Sequence, residues 1–592
     1  MAVGKPTGAR GARWAALLLL FALPLFLRLV PVRHGMPRNY LPDTHVVRSA
    51  LGMAKDRNPV PEVGVYSTYP NLLPYALLPV YATQYAVGRA RGQWGGAEEF
   101  KLEVALHPET VHLPARLLVA LLAALTPWVV FRGARAAGLG KGAWVAAWLV
   151  GTGLLHTQFS VQERPWAPLV FFMALSVWPA ALYVRDGRPR HLYASGLAAA
   201  LAFACHQAGL PMLGIAGLAW LFGPPGWRGP ELGRRLGQGV LCVALFAGVA
   251  LLVGHPYLLV HGPTQAGAVS GGEFEGIKFG GQGFIPGFRW ASFTRLSWAL
   301  LGYDPVALLL GLVGLAAALR RASLRPAAVF LLLWAAVFLF NPNDHVRYLL
   351  PVVVLLAYPA GLAAERLLER RGGLLLVAPL LAFCLVQDLR LGWVLSRPDS
   401  RALAEARLAE LPPDARVVID RYGPLPELDR ASLERLRSWR PLRTREDVRL
   451  MALEAGPEAL AARGLSGGVD AVPVEELLTA DERAHTWALR PHVEELGPGL
   501  GELFRGLGLT HALLVLRGGE RYNPLLEWLE ARPGGLGEPT FAVSPAADGA
   551  RPGGPDGGGL ELMLPMELDF ALTALWRVER PGPWIGLFPL GR

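Results

Sequence analysis

Charged residues and cysteines are scarce in this sequence. Only 18% of its 592 residues are charged and 52% are hydrophobic, a balance that excludes an ordinary water-soluble protein of this size. The three cysteines, Cys205, Cys242 and Cys384, lie in separate apolar stretches without CxxC or Cys/His spacing, which predicts neither a disulfide framework nor a zinc site. The formal net charge of +10 is interpreted as a signal of membrane topology rather than of nucleic-acid binding, because basic residues collect in short cytoplasmic loops.

Long apolar runs recur from residue 14 to residue 395 and then stop. Each is close to the length that crosses a hydrocarbon core. The run 14–32 lacks a small-residue cleavage site after it, so we predict a retained anchor rather than a signal peptide. The segment 69–90 is predicted either to be a re-entrant or interfacial helix or to belong to a further pair of spans, which gives about 11 to 13 spans. The predicted spans lie near 14–32, 111–131, 143–161, 165–185, 191–207, 209–222, 236–256, 293–319, 326–341, 347–366 and 374–395.

The last third of the chain has a different composition. From residue 396 onward, charges, prolines and glycines return at the frequency of soluble domains. A helix over 401–410, strands over 417–419 and 511–516 and a helix over 525–531 are predicted there, which is typical of a small α/β domain. The sequence therefore predicts a mainly α protein: a polytopic transmembrane helix bundle over 1–395, with a first outer loop over 33–110, followed by an extracytoplasmic α/β domain over 396–592.

Basic residues mark every second connection between the predicted spans. The positive-inside rule places these connections, and the N-terminus, in the cytoplasm. The remaining connections and the tail then face outward from what is predicted to be a bacterial inner membrane. The basic connections are 132–141, 185–190, 228–235, 320–325 and 366–371.

The unusual polar residues collect in the outward connections. In the first outer loop, Asp43 and His45 open a short amphipathic helix and Tyr69 begins a Tyr/Pro-rich segment. Asp43 is interpreted either as a helix N-cap or as a general base, because a carboxylate at a membrane boundary has its pKa raised by desolvation. His206 and Gln207 are interpreted as a polar pair packed inside the bundle.

Two later connections carry arginines at the outer ends of spans. Glu163 and Arg164 follow one span, and they either pair with each other to end a helix or contribute to a site. Arg347, flanked by His345 and Tyr348, is interpreted either as an interface anchor or as a phosphate ligand, since guanidinium binds phosphate oxygens bidentately. Between these connections lies a loop, 270–284, that is rich in glycine and carries Lys278. Its glycines suit either a segment that closes over a lipid donor or a loop that is merely mobile.

The order and sidedness of these segments resemble the GT-C superfamily of polyprenyl-phosphate-sugar glycosyltransferases, in particular the branch of protein O-mannosyltransferases and lipid A aminoarabinose transferases. Asp43 matches the acidic residue in that family's first outer loop. The segment 156–165 resembles the second outer loop, 345–351 the late Arg-Tyr…Pro element, and 397–418 the entry into the outer C-terminal domain. The chain departs from the family at Trp166, where an acidic residue is usual after the Arg-Pro pair.

The resemblance implies an integral membrane glycosyltransferase that uses a polyprenyl-phosphate-linked sugar. Its acceptor would be a protein hydroxyl, lipid A or another envelope glycan, and membrane lipids would be its other partners. In this interpretation Asp43 is the general base, and Arg347, Arg164, Lys278, His345 and Tyr348 hold the donor phosphate. Glu163, Tyr69 and His45 would support them.

No cofactor is predicted. Many members of the resembling family carry two adjacent acidic residues where this chain has Asp43 followed by Thr44 and His45. A single carboxylate is a poor cage for magnesium or manganese, so we expect metal-independent transfer, with a divalent cation as the alternative.

Two other function classes, a transporter and a structural protein, fit the sequence less well than an enzyme. A transporter or lipid flippase should carry charges at mid-span or repeated halves, and the sequence predicts few such charges and no repeat. A structural or assembly protein would not need so many spans with polar residues on one side.

Overall fold

The computed structural model describes most of the chain. The described residues are 20–40, 44–62, 69–224, 230–264, 277–279, 282–284, 286–342, 345–477, 500–516, 523–532, 535–549, 551 and 571–590. They form two compact units. The membrane unit consists of residues 1–32, 43–83 and 113–393, and the tail unit of residues 33–42, 84–112 and 394–592. Two parts of the first outer loop thus belong to the tail unit.

The first half of the chain is helical. Its successive helices are α1 (Leu20–Leu29), α2 (His45–Asp56), α3 (Leu72–Ala90), α4 (Ala97–Leu106), α5 (Glu109–Ala136), α6 (Gly142–Gly151), α7 (Leu154–Ser160), α8 (Trp166–Asp186), α9 (Pro189–Cys205), α10 (Leu213–Phe222), α11 (Pro230–Val249) and α12 (Tyr257–Val260).

A short hairpin and five further helices complete the membrane unit. They are β1 (Ile277–Phe279), β2 (Gln282–Phe284), α13 (Trp290–Tyr303), α14 (Pro305–Arg320), α15 (Arg325–Phe338), α16 (Leu349–Leu368) and α17 (Gly373–Leu395).

Helix α16 forms the centre of the membrane unit. It packs against α14, α6, α15 and α8, and 94% of its apolar window is buried. The windows of α11 and α17 are only 17% and 22% buried, with side chains such as Val240 and Leu375 largely exposed. Apolar side chains that face outward in this way are those that hydrocarbon can solvate.

A helix or a pair of helices lies at each predicted span, which confirms the polytopic helical architecture. Among the described residues, five helices are long and apolar enough to cross a membrane alone, or six if one bent pair counts as a span. That pair is α13 and α14, which meet at 110°, so the segment predicted as one span over 293–319 is two helices. The span predicted over 143–161 is likewise two helices, α6 and α7.

The two breaks have local causes. Thr152 and Gly153 separate α6 from α7, and glycine is a poor helix former. Asp304 and Pro305 separate α13 from α14, and proline cannot donate the backbone hydrogen bond that a continuous helix requires. The broken helices leave backbone groups that must find partners elsewhere in the bundle.

The membrane unit buries several charged side chains. Arg28, Asp388, Arg116 and Glu163 have no more than 1% of their surface exposed, and Asp304 has 7%.

The tail unit contains a five-stranded sheet covered by helices, as the predicted α/β domain requires. Its elements after residue 395 are α18 (Ser400–Leu408), β3 (Arg416–Ile419), α19 (Arg430–Trp439), α20 (Thr444–Ala455), α21 (Pro457–Ala462), β4 (Asp470–Pro473), α22 (Leu500–Gly506), β5 (His511–Leu516), α23 (Pro524–Glu530), β6 (Phe541–Val543), α24 (Ala571–Arg577) and β7 (Trp584–Pro589).

The strand order is β4-β3-β5-β7-β6. Strands β4, β3 and β5 run parallel, whereas β7 is antiparallel to both β5 and β6. Strand β5 is buried from its second residue to its last, as a central strand covered on both faces should be. The sheet has apolar clusters on both faces.

The tail unit binds the start of the first outer loop through a charge cluster. Arg38 lies 3.1 Å from Glu405 and 2.6 Å from Glu427. The Tyr40 hydroxyl donates to Glu405 at 2.6 Å, and Arg401 stacks on the Tyr40 ring. Helix α4, from the end of the same loop, packs on α20.

Candidate active site

The ring of Trp166 lies at the centre of the candidate site. Trp166 is the first residue of α8 and is 1% exposed. Its ring centroid lies 4.5 Å from that of His206 and 5.8 Å from that of Tyr348. The guanidinium carbon of Arg347 lies 5.7 Å from the same ring. Trp166, where the chain departs from the family pattern, thus contacts His206 and Tyr348, which belong to two different predicted outward connections.

His206 extends this contact to the first outer loop. Its ring lies 5.3 Å from Tyr69, which in turn lies 5.7 Å from His45 in an edge-to-face arrangement. The Nδ1 atom of His206 accepts a hydrogen bond from the Ala208 amide at 3.0 Å. His45, Tyr69, His206, Trp166 and Tyr348 form one row of rings, and we call this the aromatic row.

Arg347 is held by ring faces and by a hydrogen bond to Tyr348. Its guanidinium carbon is 5.9 Å from the Tyr348 ring, and the two side chains are hydrogen-bonded. Its Nε atom is buried and has no hydrogen-bond partner among the described residues. Cation–π contact holds a guanidinium without using its in-plane N–H groups, so donors remain for an anion.

His345 is the point at which three positive charges converge. Burial of its ring, followed by the charges of Arg347, Arg295 and Arg164, lowers the pKa of His345 to about 3. The imidazole is therefore neutral at physiological pH. Such a concentration of guanidinium groups suits an anionic ligand such as a phosphate.

Glu163 belongs to a buried ion pair. Arg116 of α5 donates from Nε to Glu163 Oε2 at 2.7 Å and from Nη1 to the carbonyl of Val32 at 3.1 Å. The pair links the second outer loop to α5 and to the end of the first apolar run. No motif in the sequence singled out Arg116, because its partner lies 47 positions away.

Two predicted site residues lie outside the described part of the structure. Asp43 is outside it altogether, and only the backbone of Lys278, on β1, is described. The N-cap of α2 is Thr44, which makes no side-chain capping hydrogen bond. Both interpretations of Asp43, as an N-cap and as a base, therefore stay predictions.

The predicted apolar face of α2 is only partly buried. Val46, Val47 and Ala50 are buried, but Leu51 is half-buried and Ala54 is exposed.

Within the described residues, no group of three or more His, Cys, Asp or Glu side chains could hold a metal ion.

An apolar groove of about 490 Å³ adjoins the aromatic row. Two of the side chains that line it contact Tyr348: Trp334 donates to the Tyr348 carbonyl at 3.0 Å, and the Phe338 ring lies 5.0 Å from the Tyr348 ring. Tyr348 therefore contacts both the lining of the groove and Arg347, which does not itself line it. It is lined by Pro211, Gly214, Gly217, Leu218, Trp220 and Leu221 on the side of α10 and by Phe330, Leu333, Trp334, Val337 and Phe338 of α15.

Several solved structures are similar to this chain. ArnT from Cupriavidus metallidurans in the apo state is 16% identical, with 85% of this chain and 93% of that chain covered and a TM-score of 0.47. The Pmt1-Pmt2 protein O-mannosyltransferase complex of S. cerevisiae is 19% identical, with 42% and 33% covered and a TM-score of 0.30. The oligosaccharyltransferase of Archaeoglobus fulgidus in the apo form is 13% identical, with 68% of this chain covered and a TM-score of 0.36, and this chain spans 62% of its length.

One family model matches the sequence directly. Residues 103–253 match the model of the family described as dolichyl-phosphate-mannose-protein mannosyltransferase. No curated protein matches this chain. The matched segment contains Arg116, Glu163, Arg164, Trp166 and His206. The match confirms the predicted resemblance over residues 103–253, where this chain has the sequence pattern of that mannosyltransferase family.

Proposed function

We propose that this protein transfers a sugar from a polyprenyl-phosphate-linked donor to a cell-envelope acceptor. The observation that carries the proposal is the position of Arg347, which lies over the Trp166 and Tyr348 rings with a buried Nε that has no partner among the described residues, while Tyr348 also contacts the lining of an apolar groove. A lipid phosphate needs both features, because its phosphate seeks fixed positive charge and its hydrocarbon chain seeks an apolar surface. The family match over 103–253 supports the same reaction class.

The groups present suit glycosyl transfer. The acceptor oxygen or nitrogen attacks the anomeric carbon and loses its proton to a base, for which Asp43 is our candidate. The bond from that carbon to the phosphate oxygen breaks, and the phosphate leaves with the electron pair. Arg347 and Arg164 would stabilise the charge that grows on the phosphate, as preorganised donors do in other group transfers.

Neither the transferred sugar nor its acceptor is fixed by these features. Hexosyl and pentosyl donors both fit the proposal, and a protein hydroxyl, lipid A and another glycan remain acceptor candidates. We propose a bacterial inner-membrane location, with the site and the tail outside the cytoplasm, from the charges of the connections. We also propose that the reaction needs no metal, because fixed guanidinium groups supply the positive charge.

The alternative of a transporter or lipid flippase is not favoured. The buried charges of the membrane unit agree with it, but the matched family consists of transferases. A flippase would move the lipid intact, whereas a transferase releases polyprenyl phosphate and a glycosylated acceptor. Incubation of the purified protein with labelled polyprenyl-phosphate sugars and envelope extracts separates the two by their products.

Arg347 gives the sharpest test of the site. We expect Arg347→Ala to lose most transfer activity and Arg347→Lys to recover part of it, since lysine restores the charge without the bidentate fork. The affinity for the donor should fall more than the maximal rate of transfer. Arg132→Ala is the matched control, because Arg132 also lies over tryptophan rings, 4.7 Å from Trp178, at an end of α5 predicted to be cytoplasmic. Normal donor dependence in Arg347→Ala would remove this residue from the site.

A further inference from the structure

The short helix α7 is held by buried polar side chains from several other helices. It has seven residues, far fewer than a helix needs to be stable by itself in isolation. The break at Gly153 separates it from α6. Its orientation must therefore come from tertiary contacts, and those contacts are polar.

Asp304 holds the first turn of α7. Its Oδ1 accepts from the Leu154 amide at 3.0 Å and its Oδ2 from the Leu155 amide at 3.3 Å. A Cβ atom at Gly153 would lie 3.3 Å from Asp304 Oδ1 and 2.8 Å from the Leu149 carbonyl oxygen, so glycine leaves the room that this approach needs. Asp304, at the break between α13 and α14, thus caps the first turn of α7.

Arg28 of α1 bridges the two sides of the same break. Its Nη1 donates to the carbonyl of Gly151, the last residue of α6, at 3.0 Å, and to that of Pro24 at 2.9 Å. Its Nη2 contacts His156 Nδ1 at 2.6 Å. Arg28 and His156 are both fully buried.

Helix α17 and helix α13 hold the next two residues. The Thr157 hydroxyl donates to Asp388 Oδ2 at 3.0 Å, and Gln158 Nε2 donates to the Tyr303 hydroxyl at 3.5 Å. Every residue from Leu154 to Gln158 therefore has a polar contact with a side chain outside α7. Charged side chains inside a membrane protein are costly and usually serve a function.

We propose that Arg28, Asp304 and Asp388 are positioning residues for the donor site, and that they act through α7. The chain leaves α7 at Ser160 and reaches Glu163 and Arg164 within four residues. Arg164 is one of the charges that converge on His345. A network that fixes α7 thereby fixes the arginine that would hold the donor phosphate. This inference rests on the proposed function.

Thr157 gives a test that leaves the charges in place. Thr157→Val keeps the shape of the side chain and removes the hydrogen bond to Asp388, whereas Thr157→Ser keeps the hydroxyl. The matched control is Ser176→Ala, which removes a buried 2.9 Å contact between Ser176 and Ser195 on α8 and α9. We expect Thr157→Val to raise the KM for a polyprenyl-phosphate sugar about 5-fold or more, because a lost bond to a charged group is among the more costly deletions. Its kcat should change less, and Thr157→Ser and Ser176→Ala should stay near the wild type.

Hydrogen–deuterium exchange of the peptide 154–166 provides a readout that needs no activity. Thr157→Val should raise its exchange, while Thr157→Ser and Ser176→Ala should not. If the wild type transfers no sugar, the proposed function fails, yet the exchange still reports on the network. Wild-type exchange and a wild-type KM in Thr157→Val, or an equal KM rise in Ser176→Ala, would overturn the proposal.

Discussion

Asp43 is the residue on which the proposed chemistry depends most. We expect Asp43→Asn to lower turnover by about 100-fold or more, since asparagine keeps the size of the side chain but cannot take the acceptor proton. Folding should be unchanged, because asparagine caps a helix N-terminus about as well as aspartate does. Steady-state transfer assays and thermal unfolding of the variant measure the two effects separately.

The same assay tests metal dependence. Transfer should survive chelation if Arg347 and Arg164 carry the charge that a cation would otherwise bring to the phosphate. Loss of activity with chelator and its recovery with manganese would contradict the mechanism, as would normal turnover in Asp43→Asn.

His345 should make stability depend on pH. Its pKa is lowered from 6.5 to about 3 in the folded protein, so the unfolded chain binds this proton more readily than the folded one. The stabilisation is present above pH 6.5 and is lost progressively as pH falls towards 3. We expect His345→Asn to lose less Tm than the wild type between about pH 7 and pH 5. An identical fall in both proteins would mean that the imidazole titrates normally.

At the scale of elements, the central packing depends on glycines that let helices approach closely. A Cβ atom at Gly314 of α14 would lie 1.9 Å from the carbonyl oxygen of Pro359 in α16. Because that oxygen is part of the backbone, Gly314→Ala must push the helices apart, at a cost of about 1–3 kcal/mol. We expect a lower Tm in detergent. Gly248→Ala in α11 is the control, since a Cβ there meets nothing within 4 Å, and an equal loss in both variants would contradict the packing argument.

Element positions follow from the sequence where a local signal exists. Apolar length locates α5, α8 and α16, and apolar runs between turn residues locate β3 and β5. The breaks at Thr152–Gly153 and Asp304–Pro305 are different, because hydropathy averages over them. Arg28 and Asp388, which contact the residues around the first break, lie far away in sequence. For the same reason the sequence predicts Arg347 and Tyr348 but not the contact of both with Trp166.

At the scale of the whole molecule, the alternation of basic connections predicts which parts face outward. A single cysteine at Lys141 should resist an impermeant reagent in spheroplasts, whereas one at Arg430 should react, because the tail is predicted to be extracytoplasmic. Both positions are exposed. Native Cys205 and Cys242 are buried and Cys384 is half-buried, so background labelling should be low. Labelling at 141 and not at 430 would invert the topology.

The tail unit has a consequence for biosynthesis, because it is built from parts of the chain that the ribosome makes far apart. Arg38 and Glu405 are separated by 367 positions, which translation covers in roughly 20 to 70 s. Until Glu405 and Glu427 have been synthesised, Arg38 and Tyr40 lack the carboxylates that bind them in the folded protein. Completion of this unit is therefore one of the last events in the maturation of the chain, and a message truncated before codon 405 cannot produce it. Synthesis of the tail at least to Glu427 is therefore a condition for fixing Arg38 and Tyr40 at the start of the first outer loop.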